Sequence, residues 1–252
     1  MQFVSLGRHC DVIYNIKKCV NADTPTHFFD SLRVDFKSVL YILNLRCIDP
    51  IMNIDNFNLD KELYAHENEL SITLKNFDRD NITLLFHHDI LLTGYDESGL
   101  PAKLEEFVSK YKRRFERLID LISSEKELYF IHKVHGESID FRTDIDDFDK
   151  IIKSINGRVK YCLITLVQEE GDYIFTKHNN HLNINITTFI DENKTPDWKR
   201  SEIDWESIFR IIKCNAFSRQ SEEVADVAEV ADVVEVKEKK WSPWARRANF
   251  KK

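Results

Sequence analysis

The chain lacks the cysteine patterns that bind structural metal or form disulfides. Its five cysteines lie far apart, their number is odd, and no two form a Cys-x-x-Cys pair. They are Cys10, Cys19, Cys47, Cys162 and Cys214. Structural zinc sites use cysteines paired at short spacing, and disulfide frameworks are typical of exported chains with an even number of cysteines. The pattern predicts reduced thiols in an intracellular compartment and no structural zinc.

Long apolar runs, an export signal and a basic excess are also lacking. No stretch approaches the roughly 20 apolar residues that span a bilayer. The first apolar run is short and has no basic flank before it, unlike a signal or transit peptide. The net charge of -7 gives no general attraction to nucleic acid or to an anionic membrane. We expect a cytoplasmic protein with no membrane span and no nucleic-acid partner.

Glycine-rich phosphate loops are absent, and the histidine spacings do not favour metal. The chain has six glycines, and no Gly-x-Gly follows Gly7, the one nearest the N-terminus. His-x-x-His occurs at His132/His135 and His178/His181. Both pairs fall in segments predicted as strand or loop, where this spacing directs side chains to opposite faces. The sequence therefore predicts no metal and no cofactor.

The composition supplies enough apolar material for a core. Apolar residues make up 42% of the chain and charged residues 31%, which is typical of a folded domain. We place one α/β domain at residues 1–218. Residues 219–252 begin with a Val-Ala-acid triplet repeat, and a period of three holds no apolar face on a helix. We therefore predict a low-complexity, disordered tail, which is a candidate to bind a protein partner.

Short apolar runs alternate with amphipathic helical patterns along the domain. The predicted strands are 3–6, 70–74, 82–86, 128–131, 161–167 and 182–189, and His27 to Phe29 is strand or turn. The predicted helices are 10–18, 35–45, 102–123, 147–155 and 205–212. The polar segment 49–80 is predicted as an irregular insertion. This order favours an α/β fold with a mostly parallel or mixed sheet flanked by helices, whose ligands bind beyond the carboxyl ends of the strands.

Cys10 is the residue best placed for chemistry. It follows a predicted strand and the turn at Gly7, and it begins a predicted helix. The helix dipole and the neighbouring His9 would favour the thiolate. A small buried cysteine that packs a helix against a sheet would occupy the same position. Position alone leaves both readings open.

Three motifs follow one another along the chain. The first is Val4-Ser5-Leu6-Gly7-x-x-Cys10 with Phe29-Asp30 after it, and the second is Phe86-His87-His88-Asp89 after an apolar strand. The third is the Tyr-x-Arg-Arg helix of residues 110–117. Together they resemble the family of putative papain-like cysteine peptidases. The likeness covers about residues 1–135, and it is weaker from there to about residue 214.

The resemblance implies a cysteine peptidase or a related thiol-dependent hydrolase or transferase that acts on a peptide or other acyl substrate. Such enzymes need a base to activate the thiol and a third group to orient the base. The resemblance makes Cys10 the nucleophile, His88 the base with His87 as the alternative, and Asp30 the orienting acid. Each histidine taken alone is also explained as a polar residue that ends a strand and binds backbone.

Some features depart from the family pattern. Ser31 stands where an aromatic residue is expected, and His132 stands where a basic residue is expected after a strand. The predicted layered sheet also differs from papain-like folds, which combine a helical lobe with an antiparallel barrel. The departures leave the Cys10 and His88 positions intact.

The long predicted helix over 102–123 carries a cluster of arginines. Arg113 and Arg114, together with Asp89, are the candidate ligand-binding residues, for a phosphate or carboxylate group. The alternative is a solvated helix face on which arginines and glutamates alternate. The rival to an enzyme is a non-catalytic or glycan-related α/β module that binds a ligand with the same motifs. A third hypothesis is an interaction protein that works through its tail.

Overall fold

The computed structural model describes residues 1–7, 10–60, 71–74, 84–86, 89, 99–134, 143–168, 175–178, 180–186, 199–200 and 203–215. The predictions for His87, His88 and residues 219–252 lie outside the described residues, as do His9 and His135. The domain boundary expected after residue 218 therefore stays a prediction.

The helices and strands that the sequence predicts occur in the predicted order, together with three strands that it does not predict. The strands are β1 (Gln2–Ser5), β2 (Leu32–Val34), β3 (Phe57–Asp60), β4 (Ser71–Leu74), β5 (Leu84–Phe86), β6 (Glu127–Val134), β7 (Lys160–Gln168), β8 (Phe175–His178) and β9 (His181–Ile186). The helices are α1 (Cys10–Cys19), α2 (Phe36–Leu45), α3 (Leu100–Ser123), α4 (Thr143–Ile155) and α5 (Trp205–Asn215). Within the ranges given above, no helix combines the length and the apolar character that a bilayer crossing requires.

The larger sheet has the strand order β1-β6-β7-β9-β8. β1 pairs in parallel with β6, β6 with β7 and β7 with β9, while β8 runs antiparallel to β9 at the edge. β6 and β7 are rich in apolar residues, as parallel strands covered on both faces usually are. The sheet confirms the predicted α/β fold class.

A second sheet is antiparallel and has the order β2-β5-β4-β3. The sequence predicts that β5 is buried and that its end belongs to the carboxyl edge of a parallel sheet. Leu84 and Phe86 are indeed buried, but β5 pairs antiparallel with β2 and β4. The expected sheet was wrong because a short apolar run indicates burial without specifying the neighbouring strand.

Side chains alternate across the parallel sheet and build a core on each face. On one face, Leu128 and Phe130 of β6 pack in a cluster with residues of α2, α3 and α4. On the other face, Tyr129 and Ile131 pack with residues of α1 and α5. β6 is thus buried between two layers of helices. One of them contains α1, which is the element that follows β1 and packs against the sheet.

Three short strands account for most differences from the prediction. β2, β3 and β8 are three, four and four residues long, and their residues form no continuous apolar run of the kind from which the other strands were predicted. β3 lies in the segment predicted to be irregular and pairs with β4. α4 begins four residues before the predicted start, because Asp144 and Asp146 in its first turn interrupt the apolar pattern while favouring a helix N-terminus.

Candidate active site

Cys10 lies at the start of a helix, as the sequence predicts. It is the first residue of α1 and is partly exposed. The ladder between β1 and β6 continues for one residue beyond β1, because the Leu6 N–H donates to the carbonyl of Ile131 at 2.8 Å. α1 begins at Cys10, three residues after Gly7. All five cysteines belong to the described part of the chain, and none of them forms a disulfide.

Gly7 forms the turn between β1 and Cys10. Its φ of 86° is in the left-handed region, which glycine adopts without strain. A Cβ at this position would overlap Cγ1 of Val34 and would lie 3.1 Å from the carbonyl oxygens of Phe29 and Leu32. The turn that leads to Cys10 therefore touches the segment that carries Asp30.

Asp30 is fully buried in a turn before β2. Its Oδ2 accepts the backbone N–H of His27 at 2.7 Å, and its Oδ1 has no hydrogen-bond partner among the described residues. Burial raises the pKa of Asp30 to about 7, although the N–H of His27 and the charge of Arg114 act in the opposite direction. A carboxyl with one oxygen held and the other open is suited to orient an imidazole.

The segment that carries the histidine motif starts beside the same turn. Phe86, the last residue of β5, is paired with Leu32 in the register of β2 and β5. Leu32 follows Asp30 by two residues, and Phe86 directly precedes His87. The imidazoles of His87 and His88 lie outside the described residues, so the expected contact between a histidine and the thiol stays a prediction.

Asp89, the last residue of this motif, contacts α3 through both of its carboxylate oxygens. Its Oδ2 accepts the hydroxyl of Tyr111 at 2.5 Å, and its Oδ1 forms an ion pair with Lys110. Burial and the negative charge of Asp89 raise the pKa of Tyr111 well above its ordinary value of 10, so the hydroxyl stays protonated and donates. Both carboxylate oxygens of Asp89 are used within the chain, and a contact of Asp89 with a ligand stays a prediction.

His27 was not singled out from the sequence, yet it is part of the Asp30 turn. Its side chain is buried, and neither ring nitrogen has a hydrogen-bond partner in the described part of the molecule. Burial lowers the pKa of His27 to about 4, with a smaller effect in the same direction from the charge of Arg117. The ring is therefore neutral at pH 7. In the sequence, only the spacing of three residues between His27 and Asp30 pointed to His27 as a site residue, and this signal is weak.

A buried ion pair beside Cys10 was also missed. Lys133, near the end of β6, pairs with Asp11, the second residue of α1, and the two side chains are 3% and 0% exposed. The other carboxylate oxygen of Asp11 accepts the N–H of Val12 at 2.9 Å. The sequence signal was a lysine two residues after the apolar run Leu128 to Ile131. The pair joins the first turn of α1 to the strand next to β1, and so helps to hold the backbone of Cys10.

The two candidate arginines of α3 have different surroundings. Arg113 is exposed. Arg114 is half-buried, and its guanidinium lies over the ring of Tyr111 with a distance of 4.9 Å to the ring centroid. Its Nη1 is buried with no hydrogen-bond partner among the residues that the structure describes. Arg114 therefore remains a candidate ligand-binding residue on structural grounds that Arg113 lacks.

Two further histidines of the described part of the chain, His132 and His181, are packed within the domain. His132, which departs from the family pattern, is buried with its ring centroid 5.1 Å from that of Phe36. His181 is buried, and its Nε2 lies 2.9 Å from the hydroxyl oxygen of Thr165. Across the described ranges, no three His, Cys, Asp or Glu side chains come together as metal ligands. The absence of a metal stays a prediction.

Comparison with known proteins agrees with the motifs. Residues 1–171 match the family described as putative papain-like cysteine peptidase. An uncharacterized protein of Acanthamoeba polyphaga mimivirus is 24% identical over 225 residues, which cover 82% of this chain and 96% of the viral protein. No solved structure matches the chain. Because the family match covers more than half of the 252 residues, the chain belongs to the family described as putative papain-like cysteine peptidase.

Proposed function

We propose that the protein is a cysteine peptidase or a related thiol-dependent hydrolase or transferase, in which Cys10 is the nucleophile, His88 the base and Asp30 the group that orients the base. The observation that carries the proposal is the meeting of three backbone segments. The Gly7 turn before Cys10 packs on the Asp30 turn, and the end of β5 is paired beside that turn. Membership of the family supports the same assignment.

The proposed reaction has two stages. The imidazole of His88 takes the proton of the Cys10 thiol, and the thiolate attacks the carbonyl carbon of the acyl substrate. The C–S bond forms, and the bond to the amine or alcohol breaks as that group leaves with the proton. Water, deprotonated by the same imidazole, then cleaves the thioester and restores the thiol. In a transferase, a second amine or alcohol takes the place of water.

An imidazole partner is needed because the helix alone is too weak. The dipole of α1 stabilises a nearby anion by roughly 0.3 to 1 kcal/mol, which is less than one pKa unit at about 1.4 kcal/mol per unit. Asp30 would stabilise the imidazolium of His88 only when the carboxyl of Asp30 is ionised. Because its pKa is about 7, we expect thiol reactivity and turnover to increase as the pH rises through about 7.

The proposal is tested by the rate at which iodoacetamide alkylates each cysteine of the native full chain. We expect Cys10 to react fastest. It should also stay reactive below the usual thiol pKa of about 8.5. The rate at Cys10 should fall at least about tenfold in His88→Ala, because the thiolate would lose its charged partner. His87→Ala is the matched variant at the neighbouring position, and it should leave the rate largely unchanged.

The other thiols provide internal controls. Cys47 and Cys214 are exposed, and both should react more slowly than Cys10. Cys19 should react more slowly, because burial raises its pKa. Equal labelling of Cys10, Cys47 and Cys214, or a Cys10 rate that ignores both histidines, would overturn the enzyme proposal. The non-catalytic ligand-binding module would then be the better account of the same motifs.

A further inference from the structure

Positive side chains from two helices surround the Asp30 turn. Phe28 of this turn packs edge-to-face on the rings of Tyr111 and Phe115, with centroid distances of 5.6 and 5.5 Å. The turn therefore rests on the part of α3 that carries Arg114. On the α1 side, the ammonium of Lys17 donates to the hydroxyl of Thr26 at 3.3 Å, directly before the turn.

The electrostatic effects on the turn agree with this packing. Lys17, Arg114 and Arg117 each act on Asp30 and favour its ionised form. Arg117 also acts on His27 and disfavours its charged form. Three cations from α1 and α3 thus lie within electrostatic range of one buried carboxyl.

Neither Asp30 nor Asp89 fully offsets the charge of these cations. Asp30 is only partly ionised at pH 7, because burial raises its pKa to about 7. Asp89 is engaged by Lys110 and Tyr111. Arg114 forms no ion pair within the described ranges, although its Nη1 is buried. A buried donor without a partner is destabilising, and more so when the group is charged.

Unused polar atoms next to the cations point to a ligand. Both ring nitrogens of His27 are buried and have no partner among the described residues. The guanidinium of Arg114 lies over the ring of Tyr111, 4.9 Å from the ring centroid, and the hydroxyl of Tyr111 donates to Asp89. A guanidinium fixed in this way offers a rigid pair of donors that matches a carboxylate or phosphate group.

We propose that Arg114, with Lys17 and Arg117 beside it, forms an oxyanion-binding site against the Asp30 turn, and that it holds a carboxylate or phosphate group of the substrate. Anion binding is independent of the proposed function. The assignment of the anion to the substrate rests on the proposed function, because it requires Cys10 to be the reacting group nearby. His27 supplies one further ring N–H as a hydrogen-bond donor to the bound anion.

Binding is tested with inorganic phosphate and, in a separate arm, with acetate. Both are titrated into the full chain carrying Cys10→Ala, at constant ionic strength set with chloride, and followed by NMR chemical shifts. We expect saturable binding of at least one anion, weakened about tenfold or more by Arg114→Gln, as is typical for loss of a charge-assisted hydrogen bond. Arg114→Lys should recover only part of the affinity, because a lysine keeps the charge and loses the fork.

Arg113→Gln is the matched control. This variant removes the same charge from the neighbouring position, where the side chain is exposed. It should leave the dissociation constants of phosphate and acetate unchanged. Phosphate affinity above acetate would identify a phosphate-bearing ligand, and the reverse order a carboxylate. Absence of saturable binding of both anions, or equal losses in Arg113→Gln and Arg114→Gln, would overturn the site.

A second measurement connects the site to Cys10. In the chain with Cys10 intact, the ratio of alkylation rates with anionic iodoacetate and neutral iodoacetamide should exceed that of exposed Cys214, and it should fall in Arg114→Gln. Phosphate binding with an ordinary ratio at Cys10 would keep the anion site and remove its link to the substrate. A high ratio that survives Arg114→Gln would assign the attraction to other charges and overturn the role of Arg114.

Discussion

At the scale of single residues, Asp30 and His27 titrate in opposite senses within one turn. Burial raises the pKa of Asp30 from 3.8 to about 7 and lowers that of His27 from 6.5 to about 4. Between about pH 4 and 6.5, the folded chain carries a proton on Asp30 that the unfolded chain has lost. In the same range it lacks a proton on His27 that the unfolded chain carries. Stability contributed by Asp30 is lost as the pH rises through 7, whereas that of His27 is lost as the pH falls through 4.

The two slopes should nearly cancel between about pH 4 and 6.5, and single variants should separate them. In Asp30→Asn, the free energy of unfolding should fall as the pH is lowered through this range, by up to about 1.4 kcal/mol per pH unit for one proton. In His27→Leu, it should fall as the pH is raised instead. Urea denaturation between pH 4 and 8 measures both. Identical pH profiles of the variants and the natural protein would contradict the two pKa shifts.

At the scale of elements, the Gly7 turn connects β1 to α1 at a position where no side chain fits. In Gly7→Ala, the added Cβ would overlap Val34, and the alanine would have to adopt an unfavourable positive φ. We therefore expect a loss of roughly 2 kcal/mol or more in the free energy of unfolding. Reactivity of Cys10 should fall as well, because its turn must shift. Gly157→Ala is the control, since a Cβ there would make only an ordinary contact at 3.8 Å.

The Lys133–Asp11 pair gives a second prediction for the same junction. Lys133→Met leaves the Asp11 charge buried and unpaired, and we expect a loss of about 3 to 5 kcal/mol in chemical denaturation. Asp11→Asn combined with Lys133→Met should recover much of this loss, because no buried charge remains. Lys150→Met removes a lysine from an exposed pair with Asp147 and should change stability little. Additive losses in the double variant would argue against a direct pairing.

At the scale of the whole molecule, the composition of residues 219–252 predicts that limited proteolysis removes them first. Their triplet repeat offers no lasting apolar face, and their acidic and basic blocks favour solvent. Mass spectrometry should then find a stable fragment that ends near residue 218. Early cleavage within the domain, or tryptophan fluorescence that shows Trp241 and Trp244 protected from quenchers, would indicate a docking segment instead.

Much of the fold and part of the candidate site could be predicted from the sequence. Periodicity predicted α1, α2, α3 and α5 to within three residues at each end, because helical patterns depend on neighbours in the chain. The strand β1, the turn at Gly7 and the start of α1 at Cys10 were predicted as well, because they too depend on neighbouring residues in the chain. His27 and Lys133 were not, because their roles depend on burial and on partners that periodicity does not specify.

The sequence by itself determined the α/β class, the family and the order of the chemistry-bearing motifs, since these depend on local pattern and residue identity. Only the tertiary structure decided that β5 pairs with β2, and that Lys133 pairs with Asp11 from 122 residues away. It also placed Arg114, rather than Arg113, beside the Asp30 turn. These choices follow from the packing of the complete chain, because burial of apolar surface and pairing of buried charge are settled between residues that are distant in sequence.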